Sequence, residues 1–230
     1  MKYEILLFDA DGTLLDFDAG EAVALKDTFT EFNLPYKNNT LDVYRVNNHK
    51  QWLLFEQGKK DKPQVLLDRF YDTFSALSIS ADVGTVARYF QQQLALQCQV
   101  YDDTIEVLQH FYGKVQLYLV SNGVLATQVS RMSRSGLNKY FTDSFISEYI
   151  GYAKPSRQYF DYCFGHIHNF DKSKTLIIGD SLSADIKGGI DNGIDTCWVN
   201  RHGQCSGEIH PTYEITGLKE LCKIVESKSE

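Results

Sequence analysis

Residues 5–13 read Ile5-Leu6-Leu7-Phe8-Asp9-Ala10-Asp11-Gly12-Thr13. Four successive apolar residues bounded by a polar turn suit a strand buried on both faces, the kind found in parallel sheets. The run stops at Asp9, and Gly12 permits a tight turn. In extended backbone, residues i and i+2 point to the same side. Asp9 and Asp11 are therefore expected to face one small volume. Two negative charges held there need a cation, a shared proton, or both. Asp9 suits either attack on a phosphorus centre or metal ligation. Asp11 suits proton transfer to a leaving oxygen and from a water. Thr13 either fixes the loop through its hydroxyl or caps the turn.

Further apolar runs follow. Residues 115–120 read as a second strand, ending in Ser121-Asn122-Gly123, and 145–147 as a third. A fourth, 175–178, ends in Gly179-Asp180; 196–199 and 213–215 complete the set. Between them, apolar residues spaced by three and four predict helices over 104–111, 125–135, 156–164, 184–192 and 218–225. This alternation predicts an α/β fold, a Rossmann-like and mostly parallel sheet covered on both faces. Ligands of such sheets bind beyond the carboxyl ends of the strands, where Asp9, Ser121 and Asp180 stand. Residues 208 onward are expected at the surface, and 227–230 frayed.

Residues 17–96 contain no strand run. Four helices are expected there, over 21–32, 41–57, 62–76 and 82–96. Some 80 residues exceed a simple crossover connection of about a dozen. The chain is read as a core domain of residues 1–16 and 97–230, with 17–96 inserted as a helical cap domain over the mouth of the sheet. Tyr44, Trp52, Phe55, Phe70, Tyr71 and Phe74 fall in that insert. Most are expected in its core, with one or two free to stack on a planar substrate.

The polar strand ends carry the chemistry. Ser121 and Asn122, with the main-chain N–H groups beside Gly123, suit an anionic oxygen. Pro155 suits the first position of a helix, which places Lys154 just before it, able to balance carboxylates and phosphoryl oxygens. Asp180 suits a hard cation such as Mg²⁺. Asp185 either joins it or supports a metal water or Lys154.

Composition narrows the partners. A formal net charge of −7 and the absence of long Lys/Arg runs argue against nucleic-acid binding. No apolar run reaches membrane-spanning length, and Met1-Lys2-Tyr3-Glu4, without an apolar stretch or cleavage site, is not expected to be a signal peptide. Five scattered cysteines without a CxxC suggest reduced thiols and a cytoplasmic setting. The six histidines form no zinc pattern, and GxSxG, Walker A and GxGxxG motifs are missing. Oligomeric state is not legible.

Taken in order, Asp9-x-Asp11-Gly12-Thr13, Ser121-Asn122, Lys154-Pro155 and Gly179-Asp180 with Asp185 resemble the motifs of the haloacid dehalogenase-like hydrolase superfamily. The resemblance covers nearly the whole chain. It implies a Mg²⁺-dependent phosphatase working through an aspartyl-phosphate. Asp9 would be nucleophile and metal ligand. Asp11 would be general acid/base, with its backbone carbonyl on the metal. Ser121 and Asn122 would hold the phosphoryl group, and Lys154 would neutralise charge. Asp180 would complete the metal ligands, with Asp185 and Thr13 supporting. Dehalogenating members lack an Asp two positions after the nucleophile, so Asp11 disfavours carbon–halogen cleavage.

Residues 9–17, 193–200 and 213–216 further look like the pyrimidine-type 5'-nucleotidase branch. The implied substrate is a small phosphate ester, a nucleoside monophosphate. A sugar-phosphate or phosphoglycolate phosphatase is the alternative, followed by a phosphomutase or a noncatalytic interaction protein.

Overall fold

The computed structural model describes residues 1–227, which form two compact units. One comprises Met1–Phe17 with the chain from Cys98 onward, the other Asp18–Gln97. In chain order the elements are β1 (Ile5–Phe8), α1 (Phe17–Glu31), α2 (Thr40–Glu56), α3 (Lys62–Leu77), α4 (Val83–Leu94), α5 (Thr104–Phe111), β2 (Gln116–Ser121) and α6 (Leu125–Arg134). They continue with β3 (Asp143–Ile146), α7 (Ser147–Ile150), α8 (Arg157–His166), β4 (Thr175–Gly179), α9 (Lys187–Asn192), β5 (Asp195–Val199), β6 (Tyr213–Ile215) and α10 (Leu221–Glu226).

The six strands form one sheet in the order β3-β2-β1-β4-β5-β6, and every pairing in it is parallel. The continuous apolar runs have the expected cause. Leu6 and Phe8 enter the core on one face with Leu117, Leu119, Leu176 and Ile178. Ile5 and Leu7 enter the core on the other face with Tyr118, Val120 and Ile177. With both faces covered, each position of the strand must be apolar.

The strand order reverses at β1, which lies between β2 and β4. Connections leave β1 toward one side and β4 toward the other, opening a crevice beyond their carboxyl ends. Asp9 follows β1 and Asp180 follows β4 directly, so topology brings two sequence-distant aspartates to one place.

Two expected helices change form. The segment expected as 184–192 begins instead with a π turn at Leu182–Ile186 and becomes α-helical only at α9. The segment expected from 218 opens with a 3₁₀ turn before α10. Residues beyond 208 are not all superficial: Ile215, Leu218, Leu221 and Val225 are buried in the core that contains Leu6 and Phe8. Residues 228–230 of the expected frayed end lie outside the described residues.

The helical unit has its own core. Tyr44, Phe70 and Phe90 pack with ring centroids 5.2–5.3 Å apart, Phe74 meets Phe70 and Phe29, and Leu25, Val65 and Val86 are buried in the same unit. Tyr71 is exposed, whereas Trp52 and Phe55 meet edge to face. Helix α3 begins on a capping box in which Asp61 and Gln64 satisfy each other's backbone N–H groups. A polar row runs through this unit: Asn48 donates to Glu21, and Arg69 donates to Asn48 and Gln91. No helix among the described residues is long and apolar enough to cross a membrane.

Candidate active site

Asp9 is the first residue beyond β1, and its N–H donates to Ile178 O at 2.8 Å. Its side chain is buried and meets Lys154, which arrives from the turn between α7 and α8. Lys154 Nζ donates to Asp9 Oδ1 at 2.6 Å, Asp185 Oδ1 at 2.7 Å and Val120 O at 2.9 Å. An ammonium has three donors, and all are used. The Lys154 main chain is held in turn by Asn122. Asn122 Nδ2 donates to Lys154 O at 2.9 Å, and Lys154 N donates to Asn122 Oδ1 at 2.9 Å. The Asn122 side chain thus positions Lys154. Pro155 does not open α8. Ser156 caps that helix by accepting from Tyr159 N, so the first helical position falls at Arg157.

Asp185 lies in the π turn after β4, where its Oδ2 accepts from Ser181 N at 3.2 Å and Ser181 Oγ accepts from Ala184 N at 3.1 Å. Asp180 precedes this turn with its side chain open to solvent, while its carbonyl accepts from Trp198 Nε1. One carboxylate oxygen each of Asp9, Asp180 and Asp185 lies within 4.8 Å of the others.

Two carboxylates bond one ammonium and a third stands beside them, and the protonation equilibria of Asp9, Asp180 and Lys154 reflect it. Burial, opposed by Lys154 and reinforced by Asp185 and Asp11, pushes the Asp9 carboxyl up to about 7. Crowding by the loops around its carboxylate, with the charges of Asp9 and Asp185, holds Asp180 above the usual carboxylate range although the residue keeps an exposed edge. Burial works against the Lys154 charge, but Asp185 and Asp9 outweigh it and raise the ammonium above its ordinary value. The set is anionic, all-oxygen and short of positive charge, which fits a hard divalent cation of the Mg²⁺ type.

The carboxylates of Asp9 and Asp11 are held by different partners. Strand β1 ends at Phe8, and Leu14 N and Leu15 N both bond back to Ala10 O. The backbone has turned before Asp11, so the alternation of a strand no longer applies. Its carboxylate is held by α6: Gln128 Nε2 donates to Oδ2 and Arg131 Nη1 to Oδ1. Asp11 still adds negative potential at Asp9. Gln128 and Arg131 escape a reading of the sequence, because polar residues on a helix pattern read as its solvated face.

Ser121 is buried at the end of β2, and its Oγ accepts from Gly123 N at 3.0 Å. Thr13 is buried, yet its hydroxyl finds no protein partner among the described residues. The loop is held by its backbone bonds instead, and the Thr13 carbonyl accepts from Arg201. His110 pairs with Glu226 and His166 stacks on Tyr162, both away from the strand ends.

Comparison with known proteins gives this geometry a family. A family model described as haloacid dehalogenase-like hydrolase matches residues 3–193. The HAD-hydrolase YfnB of Bacillus subtilis is 40% identical over 97% of this chain and 96% of its own length. Pyrimidine 5'-nucleotidase PynA of Streptococcus pneumoniae is 38% identical over 96% of this chain and 94% of its own. Pyrimidine 5'-nucleotidase YjjG of Escherichia coli is 32% identical over 96% and 97%. A crystal structure of YfnB bound to magnesium superposes with a TM-score of 0.94, covering 99% of this chain and all of that one. L-2-haloacid dehalogenase of Xanthobacter autotrophicus shares the fold at a TM-score of 0.78 and 18% identity, over 99% of this chain and all of its own. The chain belongs to the haloacid dehalogenase-like hydrolases.

Proposed function

We propose that this chain is a Mg²⁺-dependent phosphomonoesterase that acts through an aspartyl-phosphate on nucleoside 5'-monophosphates. The observation that carries the reading is the buried Asp9–Lys154–Asp185 arrangement with Asp180 beside it. It presents one carboxylate beyond the switch point of the sheet, backed by a fixed positive charge. The nucleotide part rests on the pyrimidine 5'-nucleotidases among the relatives.

Asp9 Oδ attacks phosphorus, and the bond from phosphorus to the ester oxygen breaks. Asp11 gives its proton to that oxygen, and the alcohol departs. Asp11 then takes a proton from water, whose oxygen attacks phosphorus, and the bond from Asp9 to phosphorus breaks to release phosphate. The same residue acts as acid and then as base. The Ser121 hydroxyl and the Asn122 main-chain N–H receive the phosphoryl oxygens, since the Asn122 side chain is committed to Lys154 and the Gly123 N–H to Ser121 Oγ. Lys154 holds Asp9 and offsets developing negative charge. Asp9, Asp180 and the Asp11 carbonyl are the groups assigned to Mg²⁺, with Asp185 holding Lys154 behind them. Bound Mg²⁺ supplies charge stabilisation for the transferring phosphoryl group. The helical unit is assigned the role of the family's cap, which selects substrate, and the reduced cysteines suit a cytoplasmic setting.

The test is phosphate release from a panel of nucleotides, sugar phosphates and phosphoglycolate, with Mg²⁺ and with EDTA, beside Asp9→Asn. Selective turnover of nucleoside monophosphates, lost in EDTA and in the variant, is expected. Turnover retained by Asp9→Asn overturns the nucleophile, and equal rates on every ester overturn the nucleotide assignment.

A further inference from the structure

Phosphoryl transfer as described leaves two buried side chains without a task. Gln128 and Arg131 lie one turn apart on α6, each about 1% exposed, and both end on the Asp11 carboxylate, one on each oxygen. A buried guanidinium stays charged and needs an anionic partner. Here the partner is an aspartate whose side chain remains 28% exposed. The Arg131 guanidinium also lies over the Phe17 ring at 5.6 Å. The turn after β2 is shaped to admit Gln128: a Cβ at Gly123 would stand 2.8 Å from Gln128 Cγ. Three separate segments, the loop after β1, the turn after β2 and α6, therefore meet at these two bonds.

The chemistry of the arrangement is specific. A carboxylate offers about four lone-pair positions. One donor on each oxygen occupies two of them and fixes the plane of the group, which a single donor leaves free to rotate. A lone pair on each oxygen remains for proton exchange. We propose that Gln128 and Arg131 are positioning residues that hold the Asp11 carboxyl in the orientation needed to protonate the leaving oxygen. This rests on the assignment of Asp11 as the proton donor above. The step is unchanged: the Asp9–phosphorus bond forms, the phosphorus–oxygen bond breaks, and the departing oxygen takes the Asp11 proton. A misaligned Asp11 forces that oxygen to leave as an anion. The penalty then grows with the basicity of the leaving group. It is small for p-nitrophenolate and large for phenolate or an alkoxide.

The experiment measures kcat and KM with Mg²⁺ for the parent, Arg131→Lys, Gln128→Met and Asp11→Asn on p-nitrophenyl phosphate, phenyl phosphate and a nucleoside 5'-monophosphate. Thermal midpoints are recorded alongside. Arg131→Lys keeps the charge and loses the fork; Gln128→Met keeps the volume and loses the donor. For both variants kcat on phenyl phosphate and the nucleotide is expected to fall about tenfold or more, against less than about threefold on p-nitrophenyl phosphate, with KM little changed. Asp11→Asn is expected to show the same pattern at about 10²–10⁴-fold. If Arg131→Lys does not fold, Gln128→Met decides alone, since the ion pair survives in it. Equal losses on all three esters, or none, overturn the positioning role. If Asp11→Asn itself shows equal losses, the proton-donor assignment fails and the inference with it. If Asp11→Asn discriminates between leaving groups and the two α6 variants do not, only the inference fails.

Discussion

Lys154 gives the sharpest test of the electrostatics. Lys154→Met keeps most of the side-chain volume and removes the ammonium. Three acceptors then lose their donor at once: Asp9 Oδ1, Asp185 Oδ1 and Val120 O. Two of them are carboxylates, both buried. Removing one partner of a buried ion pair costs about 3–5 kcal/mol, because the other charge is left in a poor solvent. The upper end is expected here, since the lysine serves two carboxylates and a carbonyl, and no second ammonium among the described residues is bonded to Asp9 or Asp185. The measurement is urea denaturation of parent and variant in EDTA, compared through the extrapolated unfolding free energies. With millimolar Mg²⁺ the deficit is expected to shrink, because a cation bound near Asp9 and Asp180 replaces part of the lost charge and stabilises only the folded form. Phosphatase turnover is expected to stay lost in both conditions. A loss below about 1 kcal/mol in EDTA, against the 3–5 expected, would refute the reasoning that this ammonium holds the carboxylates together. An unchanged deficit in Mg²⁺ would refute the fit of the carboxylate set to a dication.

Two further outcomes follow from the packing and charge. Gly179→Ala places a Cβ 2.6 Å from Asp185 Cβ, so Asp185 must move off Lys154. A loss of about 1–3 kcal/mol, typical of overpacking, is expected by denaturation together with weaker Mg²⁺ binding by calorimetry; unchanged Mg²⁺ affinity counts against Asp185 as the support of the site. Glu21 is buried between α1 and α2, where burial, opposed by Arg45 and Arg69 and aided by Asp18, raises its carboxyl from 4.5 to about 7. A carboxyl raised in the folded state lends stability that is complete below pH 4.5 and lost as pH rises through 7, by about 3 kcal/mol in all. Glu21→Gln should therefore gain on the parent by about 2–3 kcal/mol between pH 5 and pH 8 in urea titrations, and a constant difference across that range dismisses the assignment.

The sheet was legible because its strands are buried on both sides. Ile5 and Leu7 face one core, Leu6 and Phe8 the other, and such a strand has to be written as an unbroken apolar run. The polar residue that ends each run then marks the carboxyl edge, which is why Asp9, Ser121 and Asp180 could be read as neighbours in the fold. What failed was inference from local period. The extended-chain argument for Asp9 and Asp11 does not reach past Phe8, where β1 ends, yet Asp11 still lies near enough to raise the Asp9 carboxyl. Apolar spacing predicted one helix over 184–192, but Asp185 must turn inward to Lys154 and Ser181, and the π turn supplies that rotation. Gln128 and Arg131 carry no signal in hydrophobic periodicity, because a buried ion pair and a solvated face are written in the same letters.

The glycines of the motifs can be understood through the same geometry. Gly12, with φ of +79°, needs its conformation for the turn, and a Cβ there would lie 2.6 Å from Asp180 Cγ. Gly179 vacates the space taken by Asp185, and Gly123 the space taken by Gln128. Each glycine thus belongs to one segment of the site and makes room for a side chain from another: Asp180, just past β4, at the loop after β1, the π turn at the end of β4, α6 at the turn after β2. A buried polar side chain reaches a distant partner only if the backbone between them is stripped of volume. The spacing Asp11-Gly12, Asn122-Gly123 and Gly179-Asp180 thus leaves room, filled by an incoming side chain, beside each charged or polar group. A glycine next to a polar strand end then predicts an incoming side chain, and at Gly123 that side chain is Gln128, on its way to Asp11.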